Sequence, residues 1–365
     1  MLKWIWTATA TILSTILAIS WIVLGMGHNA HAMLQGVDRF LLVEERVLVG
    51  HPISTSGHVS RSGLPQGLVL GYFYDSPTDP SAVSFLNPYA KVLSGIIPFW
   101  YTVESNGAIT GKSNPAVLSW ARQHHLYTFA LVTNMAGASV FSPLLASARA
   151  ERTCIQNLLT MVSVNGYDGV NLDWEGIAPG DRGAFSAFVK ELAAVFHRHG
   201  YYVTLSVPAE TANEPANGWT GAYDYRALGR YADLLMIMAY DQHNEESAPG
   251  PVASAAWVTE VLKYAVSAVP GSKIILGVPG YGYEWSPAGN AALTWYQAEQ
   301  LAHQFGQSAQ SGHFVYVSAG KVHTVYFENT ETFLQKMRLV TGFEVRGLAL
   351  WRLGIEDPQI WGYLG

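Results

Sequence analysis

Residues 167–176 read YDGVNLDWEG, a run in which Gly169, Asn171, Asp173 and Glu175 alternate with Val170, Leu172 and Trp174. Successive side chains of a strand point to opposite faces, so the run predicts a strand with one apolar face and one face carrying an amide and two carboxylates. Burying two carboxylates costs several kcal/mol unless they are neutralised or used, and no Lys or Arg lies in the strand. A hydrogen-bonded polar layer is the structural alternative; acid–base chemistry at the strand's C-terminal end is the functional one.

Working outward, β-rich runs recur with helical stretches between them: LVLGYFY (68–74), VLSGIIPFWY (92–101), LYTFALVTN (126–134), GVNLDWE (169–175), YVTLSVPAE (202–210), LLMIMAYD (234–241), KIILGVPGYG (273–282) and GLALWRLG (347–354). The intervening PAVLSWARQH (115–124), ERTCIQNLLTMVSVNG (151–166), RGAFSAFVKELAAVFHRHG (182–200) and AWVTEVLKYAVSAV (256–269) repeat apolar residues at helical spacing. Strand alternating with helix in this way predicts an α/β fold, a (β/α)8 TIM barrel over residues 67–365. A doubly wound open sheet is the alternative, but no Gly-rich phosphate loop follows the first strand. Residues 283–345 are more than one helix needs. FVYVSAGKVHTVYFEN (314–329) reads there as strand, turn, strand, a small insertion between the seventh and eighth barrel strands.

With 49 % hydrophobic and 13 % charged positions, the chain has the composition of a globular protein, not a disordered one. A formal net charge of −6 without a long Lys/Arg run argues against nucleic acid as a partner. Cys154 is the single cysteine, which excludes an intrachain disulfide and a Cys-rich zinc site. His124-His125 and His243 lack metal-ligand spacing, so no metal is expected. At the N-terminus, Lys3 precedes the uncharged apolar segment 4–25, and Ala30-His31-Ala32 offers a cleavage match. Residues 1–32 therefore read as a signal peptide or as a membrane anchor, residues 33–66 as a linker, and the rest as extracytoplasmic, secreted or tethered in the cell envelope or spore.

The segment D-G-V-N-L-D-W-E (168–175) resembles the D-x-x-D-x-D-x-E signature of family 18 glycoside hydrolases, the chitinase-like group, with Asn171 at the middle aspartate. MAYD (238–241) resembles the family's M-x-Y-D, GVPGYG (277–282) its seventh strand and GLALW (347–351) its closing strand. NLDWE, MAYDQH and WRLGIEDPQIW are most similar to the branch of bacterial spore-cortex and cell-wall N-acetylglucosaminidases. That resemblance implies hydrolysis of β-1,4 bonds after N-acetylglucosamine in peptidoglycan, without a cofactor. In such enzymes the substrate's own acetamido oxygen attacks the anomeric carbon, so one protein acid suffices. The resemblance gives Glu175 that role, makes Asp173 acceptor for the acetamido N–H and Tyr240 donor to its oxygen, and adds Asp241 and Met238 as sugar-binding residues. Trp351, inward on the last strand, is the expected floor under the sugar. Asn171, Tyr72, Tyr281 and His243 are further substrate-binding candidates; for Tyr72, Trp100, Tyr281 and Trp285 plain packing is the competing reading. With Asn at 171, Asp173 loses a like-charged neighbour and is expected to ionise more easily. A chitinase, or a chitinase-like lectin without catalysis, are the alternatives; a lectin would usually lack the acid at 175.

Overall fold

The computed structural model describes residues 64–364 except Ala136. The apolar segment 4–25, the Ala30-His31-Ala32 match and nearly all of the expected linker 33–66 lie outside the described residues. Among the described residues no helix is long and apolar enough to cross a membrane.

The strands in chain order are β1 (Leu68–Phe73), β2 (Gly95–Val103), β3 (Ile109–Gly111), β4 (Tyr127–Thr133), β5 (Gly169–Asp173), β6 (Tyr202–Pro208), β7 (Leu234–Met238), β8 (Ile274–Pro279), β9 (Tyr281–Trp285), β10 (Ala291–Thr294), β11 (His313–Ser318), β12 (Lys321–Phe327) and β13 (Gly347–Trp351). Eight of them lie parallel in the order β1-β13-β8-β7-β6-β5-β4-β2, and β1 also pairs with β2, which closes the ring. The fold is a (β/α)8 TIM barrel. The helices are α1 (Ala82–Leu86), α2 (Pro115–Gln123), α3 (Phe141–Leu145), α4 (Ala148–Asn165), α5 (Arg182–Arg198), α6 (Tyr225–Tyr231), α7 (Ala255–Ala268), α8 (Trp295–Gln304) and α9 (Thr330–Gly342).

Local chemistry sets the helix limits. Asn114 caps α2 by accepting from the amides of Ala116 and Val117, and Pro115 occupies the first turn, where its missing N–H costs nothing. Ser147 caps α4, which ends at Gly166 in the left-handed region (φ 72°). Packing then follows from strand alternation. Outward-pointing Val170, Leu172 and Trp174 are buried under the helices, with the Trp174 indole 5.1 Å from the Phe141 ring and 5.0 Å from that of Phe188. Inward-pointing Leu68, Leu70, Ile97, Phe129, Leu131, Tyr202, Leu234 and Ile275 fill the barrel axis. The lower barrel is thus a packed core rather than a pore.

Between β8 and the closing strand, β10-β9-β12-β11 form a separate antiparallel sheet. Leu293, Phe314, Tyr316, Val325 and Phe327 on one face pack with Ala298 and Ala302 of α8. Tyr281, Tyr283 and Trp285 pack on the side of Tyr240 and Trp351. Helix α9 returns to the barrel, where Phe333 is fully buried in the main core. Its Lys336 is buried too, and Nζ donates to both carboxylate oxygens of Glu328 at 2.9 Å, joining the end of the small sheet to the helix.

Candidate active site

Strand β5 ends at Asp173, whose partner on β4 is Thr133. Glu175 therefore stands two residues beyond the ladder, half-buried. Its backbone is held nonetheless: the Glu175 amide donates to Asn134 Oδ1 at 3.0 Å, and Asn134 Nδ2 donates to the Glu175 carbonyl at 2.9 Å. One residue earlier, the Tyr223 hydroxyl donates to the Trp174 carbonyl at 2.6 Å.

Below the two carboxylates lies a buried hydrogen-bonded chain. The Tyr72 hydroxyl is 2.8 Å from Ser206 Oγ, Ser206 donates to Asn171 Oδ1 at 2.9 Å, Asn171 Nδ2 donates to Thr204 Oγ1 at 3.0 Å, and Thr204 donates to the Val170 carbonyl. Asn171 has no exposed surface. The sequence places it among the substrate-binding candidates; both ends of its amide are instead committed inside the barrel, so it supports the site from beneath. Tyr72, 2 % exposed, is likewise below the surface, with its ring edge-on to Trp351 at 5.2 Å.

The charge of Glu175 acts on Asp173, and that of Asp241 on Glu175. Burial, and then the charge of Glu175, push the Asp173 carboxyl up, with Ser206 opposing. Burial and then Asp241 push Glu175 up. Asp173 is therefore harder to ionise than an ordinary aspartate even with Asn at 171, because desolvation and Glu175 outweigh the missing neighbour. Burial also raises Asp241, opposed by hydrogen bonds from Tyr281 at 2.5 Å and Tyr283 at 2.8 Å. Tyr240 feels Tyr72, Asp173, Glu175 and Asp241, and is held well above the usual phenol range, chiefly by burial. Its hydroxyl stays a proton donor. The absent side chain of Gly277 makes room for it: a Cβ there would lie 3.1 Å from Tyr240 Cε1 and 2.4 Å from the Ile237 carbonyl.

The other candidates separate. Trp351 lies at the mouth, half-buried, with Phe99 6.2 Å away and Tyr240, Tyr281 and Tyr283 in the neighbouring cluster. Met238, half-buried at the end of β7, is on the inward face two residues before Tyr240. Tyr281 is occupied by Asp241. His243 Nδ1 is 3.1 Å from the Ala248 carbonyl, within its own loop. Trp285 donates to the carbonyls of Asn244 and Ser247, and Trp100 to that of Asp75; both hold loops. Among the described residues no group of three or more His, Cys, Asp or Glu is arranged to hold a metal. Sequence reasoning passed over Asn134, Tyr223, Ser206 and Tyr283. Asn134 left one sign, as the polar residue that ends the apolar run LYTFALVTN.

The family model for glycosyl hydrolases family 18 matches residues 72–356, a span that contains every residue of this cluster. The chain belongs to glycosyl hydrolase family 18. Among curated family relatives, the glycosylase YvbX of Bacillus subtilis is 28 % identical over 84 % of this chain and 92 % of its own. The cortical fragment-lytic enzyme of Bacillus subtilis is 27 % identical, over 75 % of this chain and 67 % of its own. Among solved structures, a chitinase from Chromobacterium violaceum superposes with a TM-score of 0.75 at 30 % identity, covering 82 % of this chain and 98 % of that one. The spore cortex-lytic enzyme SleL of Bacillus megaterium gives 0.75 at 25 % identity, covering 82 % and 73 %. This family 18 chain is a glycoside hydrolase similar to enzymes named for spore-cortex lysis, and its family acts on polysaccharides.

Proposed function

We propose that the chain hydrolyses β-1,4 glycosidic bonds after N-acetylglucosamine in peptidoglycan, with retention, through the substrate's own acetamido group. The observation that carries this reading is the arrangement of Asp173, Glu175 and Tyr240. Glu175, whose proton is held more tightly because of burial and the charge of Asp241, donates it to the leaving glycosidic oxygen. The acetamido oxygen attacks the anomeric carbon from the other side, forming an oxazolinium ion. Asp173 accepts from the acetamido N–H and stabilises the positive charge as the ring closes; Tyr240 donates to the acetamido oxygen and sets its line of approach. Glu175, now ionised, takes a proton from the water that opens the ring. Family 18 enzymes are among the substrate-assisted exceptions to the two-carboxylate scheme.

Trp351 supplies the flat apolar floor for the reacting sugar. Tyr74 after β1, Met135 after β4 and Trp219 after β6 are exposed beyond the C-terminal ends of their strands and offer further apolar surface for a glycan. Peptidoglycan, spore cortex included, is favoured by the relatives named for cortex lysis. Chitin is the second reading, favoured by the likeness to the Chromobacterium violaceum chitinase. A lectin is disfavoured because the acid is retained at Glu175. The apolar segment 4–25 supports placing the enzyme outside the cytoplasm, secreted or tethered.

Purified vegetative sacculi, spore cortex and chitin, digested separately, test this. New N-acetylglucosamine reducing ends identified by mass spectrometry are expected from the two wall substrates. N-acetylmuramic acid reducing ends would contradict the bond assignment, and activity confined to chitin would favour the second reading.

A further inference from the structure

A general acid must be held within a few tenths of an ångström of its working position, yet Glu175 lies past the end of its strand. The β4–β5 ladder stops at Thr133 and Asp173, and Gly176 then turns the chain sharply at φ 73°. A Cβ at residue 176 would lie 2.9 Å from that of Ala138, so the turn is tight as well as left-handed. Backbone here has no strand partner to fix the direction in which Glu175 projects.

The Asn134 carboxamide takes the place of the missing rung. It accepts from the amide and donates to the carbonyl of Glu175 itself, at 3.0 and 2.9 Å, as a neighbouring peptide group would. The carboxamides of Asn and Gln give and accept side by side at any ordinary pH, whereas a carboxyl does so only while protonated. The clamp is itself braced. Thr102 Oγ1 donates to the Thr133 carbonyl at 3.2 Å and accepts from the Met135 amide at 3.0 Å, fixing the backbone on both flanks of Asn134.

We propose that Asn134 is a positioning residue for the acid: its side chain extends the β4–β5 ladder by one rung and fixes the direction in which the Glu175 carboxyl points. The inference rests on Glu175 being the proton donor. A displacement of about 1 Å at a reacting group is worth on the order of 10²-fold in rate. Losing the clamp should therefore lower kcat far more than it alters glycan binding.

The test uses the full chain and its Asn134→Ala and Asn134→Asp variants. Asn134→Ala should lose roughly ten- to a hundred-fold in kcat with KM changed less than about threefold. The carboxyl introduced by Asn134→Asp can both donate and accept when protonated and only accept when ionised. That variant's activity relative to the parent chain should rise as pH falls. Independently of any substrate, the Glu175 amide proton should exchange with solvent faster in Asn134→Ala. Unchanged kcat and unchanged amide exchange in a folded Asn134→Ala would overturn the proposal. If that variant does not fold, an Asn134→Asp-to-parent activity ratio constant with pH would overturn it. A parent chain inactive on every glycan would refute the acid role of Glu175 instead, while the exchange measurement would still judge the clamp.

Discussion

Tyr281 donates its hydroxyl proton to Oδ1 of Asp241 at 2.5 Å, and Asp241 itself stands in the left-handed region at φ 59°. Asp tolerates that conformation better than most residues, and the bond holds the turned carboxylate against the small sheet. The excursion between β8 and β13 thus acts on the barrel mouth through one carboxylate, which in turn raises Glu175.

With Asp241 binding the sugar as a carboxylate, Tyr281→Phe should move the acidic limb of the pH–rate profile upward. The lost donor stabilised the ionised form of Asp241, so its removal raises that carboxyl further. A shift on the order of one pH unit is expected for a hydrogen bond to a charged group, reduced by the solvent that reaches Asp241. A pH–rate series on a soluble glycan checks it.

Glu175→Gln should lower turnover by at least about 10²-fold while keeping glycan affinity, because the amide preserves shape and removes the proton. Single-turnover rates with a pull-down on insoluble glycan separate the two effects. Substantial residual hydrolysis would remove Glu175 from the acid role.

Asp173→Asn should cost activity yet stabilise the fold near neutral pH. The native carboxyl is raised above the unfolded value of about 3.9, so the native state binds more protons than the unfolded one as pH climbs past that value. The native carboxyl is thus a growing liability from about pH 4 upward. The variant should match the parent's Tm below about pH 4 and exceed it by a few degrees at pH 7. Melting curves at the two pH values decide this without any substrate.

Asn171→Asp follows the same logic in reverse. The introduced carboxyl would sit where Asn171 has no exposed surface, replacing an amide that donates to Thr204 and accepts from Ser206. Protonated, it can make both bonds; ionised, it cannot donate and faces Asp173. Its native pKa is therefore raised. The variant should be close to the parent in stability at acid pH and lose stability as pH rises through that raised value. Equal Tm loss at pH 4 and pH 8 would contradict the burial of residue 171 beneath Asp173.

The barrel was legible because its signals are periodic. Strand runs such as LLMIMAYD and GLALWRLG and the helices between them state the (β/α)8 order, and side-chain alternation in GVNLDWE puts Asn171 and Asp173 on the inner face. What alternation could not give was depth. Asn171 and Tyr72 share a layer and a hydrogen-bonded chain beneath the site, and only the three-dimensional stagger of β1, β5 and β6 shows that they are covered. Nor could it give partners from elsewhere in the chain: Asn134 meets Glu175 across 41 positions, and Tyr283 meets Asp241 across 42. Trp285 and Trp100 show the same limit, since a strand-end indole reads equally as sugar platform or loop anchor until its N–H partner is seen.

The central claim, that the substrate's acetamido group is the nucleophile guided by Asp173 and Tyr240, is tested most directly by the anomeric form of fresh product. Proton NMR taken within the first turnovers, before mutarotation, should show the β anomer, because two inversions at one carbon restore the starting configuration. An α anomer appearing first would exclude the oxazolinium route and the roles assigned to both residues.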